Sequence, residues 1–368
     1  SSSSSTIRTK FPDMPVNENE YIATRRKELN LPSLSVLVFK HGKIVARGVD
    51  GAERDSRYHL GSCTKAMTAM LCARFKEKGR LSFDDPITKY FKTSNSSLWY
   101  DVTIRHLMSH ESGLDQTINS KTIWSYMWRE TNRKDQRPVR KHVCETLLNT
   151  VDPSKGKNTY IYSNSNFIML GAILEMISGK SWEELMRTEL FETNNMKRCG
   201  FGNPARVERD GLTGHVRKGS KENIPKKIGP GDDNPSSLGP AGTVHAPLES
   251  WFKFVVSCLP TSNYVSSQTL QDLHRPIRSK STYAGGWVRF LLFSKYTSSN
   301  HHHKQAFCNR TWADGTAMSH DGSNTMNYSI VWMSPKKRAG VLIATNISYD
   351  GLNLDLDKIV AFMIGKYI

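Results

Sequence analysis

Tyr58-His59-Leu60-Gly61-Ser62-Cys63-Thr64-Lys65 is the stretch on which the reading of this chain turns. Residues 58–60 have the character of a short strand. They run into the clearest helix in the sequence, with Met67, Met70, Leu71 and Phe75 at i, i+3, i+4 and i+8 and Gly79 placed to stop it. Ser62 and Lys65 therefore span the passage from strand to helix. Residues three apart on a helix share a face, with β-carbons ~5–6 Å apart, so the Lys65 amine can reach the Ser62 hydroxyl. The helix N-terminus offers positive potential and free N–H groups to a developing negative charge. Burial beneath Met67, Met70 and Leu71 lowers a lysine pKa toward that of a usable base. The plainer alternative is a capping serine with a solvated lysine.

Ser-x-x-Lys alone is a weak signal, because it occurs four times: Ser62/Lys65, Ser154/Lys157, Ser250/Lys253 and Ser334/Lys337. Ser154 falls in a Pro/Gly/Lys loop, Ser250 inside a helix and Ser334 at a strand end before a basic turn. Only Ser62 opens a long buried helix.

Moving outward, 17–29 reads as a helix, and 34–39 and 43–47 as a hairpin turning at His41-Gly42. From 102 to about 193 the pattern is largely helical, with helices at 167–177 and 182–190. Residues 200–240 read as loop, 248–258 as helix, and 286–293, 328–333 and 340–345 as strands, before a last helix at 354–364. Strands at both ends with helices between predict an α/β sandwich: an antiparallel sheet flanked by helices, built from both termini, with an inserted all-helical domain. The expected boundaries are a flexible tail at 1–15, a two-segment sheet domain at 16–85 and 240–368, and a mainly helical domain with a basic loop at 86–239.

Two further clusters carry chemistry. Tyr162-Ser163-Asn164 precedes a helix, and from an extended stretch Tyr162 and Asn164 point the same way. A phenol near a lysine ammonium is held partly ionised and can relay a proton, while an amide can orient a substrate carbonyl. The alternative is a tyrosine capping an ordinary loop. His320-Asp321-Gly322-Ser323 lies just before the strand at 328–333. Glycine at a strand edge admits close approach of an acyl group, and the following N–H can donate to an oxyanion.

Composition narrows the rest. Apolar residues at 38% exclude wholesale disorder and leave ample material for a large core. No apolar run approaches the ~18–20 residues of a membrane-spanning helix, so the chain is expected to be soluble. No signal-like stretch follows Ser1, so a targeting segment is expected to have been removed or never present. The 51 Lys and Arg against 34 Asp and Glu give a formal charge of +17, which raises the question of nucleic acid. The excess concentrates in 121–141 (seven basic, two acidic) and 197–227 (nine basic, three acidic). Neither window resembles a nucleic-acid motif, and solvated basic loops are expected instead. Six scattered cysteines form no C-x-x-C pair, so spacing offers no zinc site, and Cys63 falls off the Ser62/Lys65 face as a structural residue. His301-His302-His303 looks like a metal tract but sits in a Ser/Asn loop and is expected to be solvated; no metal is predicted. Glycosylation triplets occur at Asn95, Asn309, Asn327 and Asn346.

The order Ser-Cys-Thr-Lys (62–65), Tyr-Ser-Asn (162–164), His-Asp-Gly (320–322) resembles the three signature elements of the serine β-lactamase and penicillin-binding-protein superfamily. Within it the chain is similar to the class C branch of esterases, D-aminopeptidases and acyltransferases. Ile104-Arg-His-Leu-Met-Ser-His-Glu-Ser-Gly-Leu114, Pro240-Ala-Gly-Thr-Val244 and Tyr283-Ala-Gly-Gly-Trp287 agree with it. The resemblance implies that Ser62 is acylated and that Lys65 and Tyr162 together accept and return its proton. It implies that Asn164 holds the substrate, that His320 steadies Tyr162 or meets a substrate carboxylate, and that the N–H groups of Ser62 and Ser323, beside Gly322, form an oxyanion hole. It also implies no cofactor and an extracytoplasmic setting. Two departures stand out: histidine at 320, where many members have lysine, and Ser323-Asn-Thr-Met-Asn327 in place of a Pro-Gly turn. The expected function is hydrolysis of an ester or amide through an acyl-enzyme on Ser62, on a small-molecule or peptide acyl substrate that the basic windows suggest is anionic. The alternatives are an acyltransferase with the same acyl-enzyme, and a non-catalytic penicillin-binding-like receptor.

Overall fold

A computed structural model describes residues 14–209, 211–219, 222–289 and 312–368. In chain order its strands are β1 (Val16–Asn17), β2 (Leu34–Lys40), β3 (Lys43–Asp50), β4 (Tyr58–His59), β5 (Gly200–Phe201), β6 (His215–Lys218), β7 (Glu222–Pro225), β8 (Val244–Ala246), β9 (Tyr283–Ala284), β10 (Trp287–Arg289), β11 (Met318–Ser323), β12 (Tyr328–Ser334) and β13 (Ala339–Thr345). Eight of them form one sheet in the order β1-β3-β2-β13-β12-β11-β10-β9, antiparallel throughout except for the parallel pair β1 and β3. The two ends of the chain meet at its centre, where β2 of the N-terminal hairpin pairs with β13, Val38 opposite Val341.

The residue pattern explains these positions. Every residue of β13, and all of β2 except Lys40, is buried, as a strand covered on both faces requires, whereas β3 mixes exposed and buried positions toward the edge. Helices Asn19–Glu28, Leu248–Ser257 and Leu352–Tyr367 pack on β3, β2 and β13. Helix Thr64–Glu77 is buried along most of its length and packs on Asn164–Ser178, which packs in turn on Arg137–Thr150. The apolar interior runs as one continuous cluster from Ile22 to Met363.

Two expectations need correction. Residues 200–240, read as loop, contain β5 and the β6/β7 hairpin. That hairpin is a two-stranded ribbon whose residues are exposed or only partly buried, so no apolar alternation marks it. It is held by Arg217, whose guanidinium lies 3.7 Å from the Tyr349 ring centroid and donates to the Asn30 carbonyl. His320 to Ser323 does not merely precede a strand but lies within β11, between β10 and β12. Its polar, glycine-containing sequence conceals it, because the ladder hydrogen bonds rather than apolar side chains define its place.

Among the described cysteines, Cys63, Cys72, Cys144 and Cys258 are buried and Cys199 is partly so; Cys308 lies outside the described residues. Burial pushes the Cys72 and Cys199 thiols up to about 12. The amides of Asn327 and Asn346 are enclosed and donate to Asn324 Oδ1 and the Thr213 carbonyl, which makes these two triplets poor acceptors of glycan. Asn309 and His301-His302-His303 lie outside the described residues.

Candidate active site

Ser62 sits in the single turn Gly61–Cys63 that leads into helix Thr64–Glu77 and remains half-buried, with access to solvent. Lys65, one turn on, has no exposed surface. Its Nζ donates to Ser62 Oγ (3.0 Å), Asn164 Oδ1 (2.8 Å) and the Ala241 carbonyl (2.7 Å). All three partners are uncharged oxygens. Burial without a counter-charge pulls the Lys65 amine down to about 7. In the other three Ser-x-x-Lys pairs the lysine is engaged elsewhere: Lys157 with Asp101, Lys253 with the Asn195 carbonyl and Lys337 with Asp314.

The stretch Pro240 to Val244 runs along this helix and holds it at three points. The Pro240 carbonyl accepts from Thr68 Oγ1 (2.7 Å), the Ala241 carbonyl from Lys65, and Val244 N donates to Thr64 Oγ1 (3.1 Å). Gly286 lies so close to Ala66 that a side chain there would strike the helix backbone. These contacts explain why both glycine-bearing stretches accompany the serine-lysine turn.

The Tyr162 phenol faces Ser62, whose hydroxyl favours its ionised form, and Lys65 Nζ lies 4.9 Å from its ring centroid. Burial raises the phenol pKa above its ordinary value while it lowers that of Lys65. The expectation of a partly ionised phenol is therefore reversed: the resting pair is a protonated phenol beside an amine that readily gives up its proton. Asn164 also differs from expectation, since it begins helix Asn164–Ser178 with Ser163 as N-cap and is not in an extended stretch.

His320 is buried on β11, and its ring centroid is 6.4 Å from that of Tyr162. Its Nε2 is 2.8 Å from the Tyr283 hydroxyl and its Nδ1 2.6 Å from the Asp321 carbonyl. That pattern places the ring proton on Nδ1 and leaves Nε2 to accept from Tyr283. Tyr283 is thus a site residue that motif reading passed over, because it appeared only as part of a supporting stretch. Gly322 faces Leu60, and Gly61 faces Ser323, so closely that a β-carbon on either would collide with backbone. This contact brings the end of β11 against the turn that carries Ser62. Cys63 is buried with its Sγ near Ser329 and the His320 carbonyl, on the sheet side of the turn.

A second missed group braces the same turn. His59 Nδ1 accepts from Gly61 N (3.1 Å), and its Nε2 lies 2.8 Å from Asp233 Oδ1. Asn324 Nδ2, just beyond Ser323, donates to that same oxygen (2.8 Å). Asp233 comes from a stretch without periodicity, so nothing in the sequence singled it out.

Residues of both basic windows line one cavity of about 690 Å³, with Arg129 and Arg206 among its walls. Arg206 is paired with Asp232, and Asp233 stands beside it, so the charge of these walls is balanced. Other basic residues of these windows are paired with acidic ones, as with Arg137 and Asp135, or Arg198 with Asp55 and Glu208.

Comparison with known proteins places this geometry in a class. The family profile described as beta-lactamase matches residues 19–362, and the chain belongs to that family. Among curated relatives, Protein flp of Staphylococcus aureus (strain N315) is 22% identical over 337 residues, 87% of this chain and 60% of its own length. The chain thus spans about 60% of the length of that relative. The putative penicillin-binding protein PbpX of Bacillus subtilis (strain 168) is 23% identical over 284 residues, 74% of this chain and 66% of its own length. Two solved structures share the fold. The octameric penicillin-binding protein homologue from Pyrococcus abyssi has a TM-score of 0.70 at 20% identity, covering 94% of this chain and 76% of that one. The D-stereospecific amidohydrolase from Streptomyces sp. has a TM-score of 0.67 at 16% identity, covering 92% and 98%. Among the described residues no helix is long and apolar enough to cross a membrane.

Proposed function

We propose that the protein is a serine hydrolase that cleaves an ester or amide through an acyl-enzyme on Ser62. The observation that carries this reading is Lys65, fully buried among neutral oxygens with its Nζ 3.0 Å from Ser62 Oγ. A buried amine with a pKa of about 7 is half deprotonated near neutrality, where a general base is most effective. Lys65 takes the Ser62 proton, with the Tyr162 phenol beside Oγ as the relay, as Oγ attacks the acyl carbon. The carbonyl oxygen becomes an oxyanion, held by the N–H groups of Ser62 and Ser323. The proton then returns, through Lys65 and the Tyr162 phenol, to the leaving alcohol or amine as its bond to the acyl carbon breaks. Water, activated by the same amine, releases the acyl group and regenerates Ser62. Asn164 binds the acyl donor, and Tyr283 and His320 form the wall beyond Tyr162. Membership of the beta-lactamase family and fold likeness to an amidohydrolase support acyl chemistry of this kind. The balanced charge of the neighbouring cavity gives no independent support to a preference for anionic substrates, so the reading rests on acyl chemistry alone.

The test is intact-mass spectrometry after exposure to a fluorophosphonate. Wild type should gain one adduct on Ser62, and Ser62→Ala should gain none. Equal labelling of both would move the nucleophile elsewhere, and labelling of neither would favour a binding protein that has kept the fold.

A further inference from the structure

His110 lies in the stretch Ile104 to Leu114, to which the acyl-enzyme mechanism assigns no task. Its backbone stands at φ 56°, in the left-handed region where Gly or Asn is the least strained choice. Its ring is buried, and its Nε2 has no hydrogen-bond partner among the described residues. An imidazole there costs both backbone strain and a desolvated N–H, so the ring must return something that Gly or Asn alone does not.

The contacts show what it returns. The His110 carbonyl accepts from Ile161 N (2.9 Å), and its ring Nδ1 accepts from Ser163 N (3.3 Å). These are the residues on either side of Tyr162. The imidazole itself packs against the Tyr162 ring, centroids 4.4 Å apart, and against Tyr283 at 4.6 Å and Phe167 at 5.3 Å. Nδ1 is kept as the acceptor by Asn166 Nδ2 (3.0 Å), and Asn166 is oriented in turn by Ser112 Oγ, which donates to its Oδ1 (2.6 Å). The adjoining loop adds to the hold, since Gln116 Nε2 donates to the Tyr162 carbonyl and Ser163 Oγ to the Asp115 carbonyl (2.6 Å). Burial keeps His110 neutral, its pKa well below the ordinary value, so it adds no charge beside Lys65.

We infer that His110 is a positioning residue for Tyr162, bracketing its backbone from both sides and seating its ring so that the phenol stays beside Ser62. The inference rests on the proposed acyl-enzyme chemistry and assigns a task to the 104–114 stretch. A displacement of about 1 Å in a proton-relay group is enough to cost on the order of 100-fold in rate.

The test measures the second-order rate of fluorophosphonate addition to Ser62, by intact mass, in wild type, His110→Gly, His110→Asn, Tyr162→Phe and the double variant His110→Gly/Tyr162→Phe. Gly removes ring and acceptor while accepting φ 56°, and Asn accepts it while offering an oxygen in place of Nδ1. His110→Gly should label roughly 10- to 100-fold more slowly, and His110→Asn should recover most of the loss. The double variant should label no more slowly than Tyr162→Phe, because His110 acts through that phenol. A His110→Gly rate equal to wild type, an Asn variant as slow as the Gly variant, or a full His110→Gly defect persisting in the Tyr162→Phe background would each overturn the assignment. Wild type that takes no label on Ser62 would instead sink the acyl-enzyme reading, and this inference with it. A labelled wild type with an indifferent His110→Gly sinks the inference alone.

Discussion

Lys65 and Arg140 are both cations with no exposed surface, on helices that share Asn164–Ser178 as a neighbour. Arg140 meets two carboxylates, Glu175 at 2.6 Å and Glu183 at 2.7 Å. Burial works against its charge, but the attraction of Glu183 and Glu175 more than offsets it, and the guanidinium is held above its ordinary pKa. Lys65 meets three neutral oxygens, and there burial prevails and brings the amine down to about 7. The same enclosure makes one cation a structural bolt and leaves the other an amine suited to the base role proposed for it. What decides between them is the charge of the partners, not the depth of burial.

The largest expected effect comes from removing the base. Lys65→Met should lower the acylation rate by roughly 10²- to 10⁴-fold while the folded protein persists, read as burst amplitude and rate with a chromogenic ester. Activity within a fewfold of wild type would place the base elsewhere. Arg140→Met should leave activity per folded molecule intact but strand the buried Glu175 carboxylate and the half-buried Glu183 beside it, at a cost of about 3–5 kcal/mol in stability. Chemical denaturation monitored by circular dichroism reads this, and an unchanged midpoint would show that the ion cluster is not the bolt described. The smallest effect, and the most direct test of the comparison, comes from giving Lys65 a counter-charge. With Lys65 as the proposed base, its deprotonated form is the active one, so the wild-type rate should climb as pH rises through about 7. Asn164→Asp places a carboxylate on the atom that now accepts from Lys65 at 2.8 Å, which should move that limb up by about 1–3 pH units. The position of the limb is the readout, since the peak rate also suffers from the altered substrate contact. A limb that does not move would mean that it belongs to another group.

Much of this site is legible in the sequence, because its parts are local. Spacing by three on a helix already joins Ser62 to Lys65, and apolar periodicity announces the burial that changes the amine. The N-terminal hairpin and the β12/β13 pair are likewise marked by apolar runs around short polar turns. The illegible parts are those whose signal is relational. β11 carries His-Asp-Gly-Ser at its end and so lacks a strand-like pattern, though its neighbours place it within the sheet. The β6/β7 ribbon is exposed or half-buried and therefore unpatterned. Asp233 touches His59 and Asn324, residues 174 and 91 positions away, and no local rule links them. Tyr283, the neighbour of His320, stood in view but had no evident task until the 2.8 Å contact between them gave it one.

By itself, then, the sequence determined the sandwich of helices and sheet and the candidate nucleophile with its lysine. Periodicity and short spacings are properties of a single segment, and they survive whatever the rest of the chain does. The tertiary structure decided the electrostatics. Whether a buried lysine is a charge or a base depends on which oxygens converge on it from residues 164 and 241, far along the chain. Whether Tyr162 is in place depends on a histidine 52 residues earlier that grips both of its neighbours. Such arrangements exist only when segments distant in sequence are brought within hydrogen-bonding distance, where the low dielectric of the interior magnifies each choice of partner.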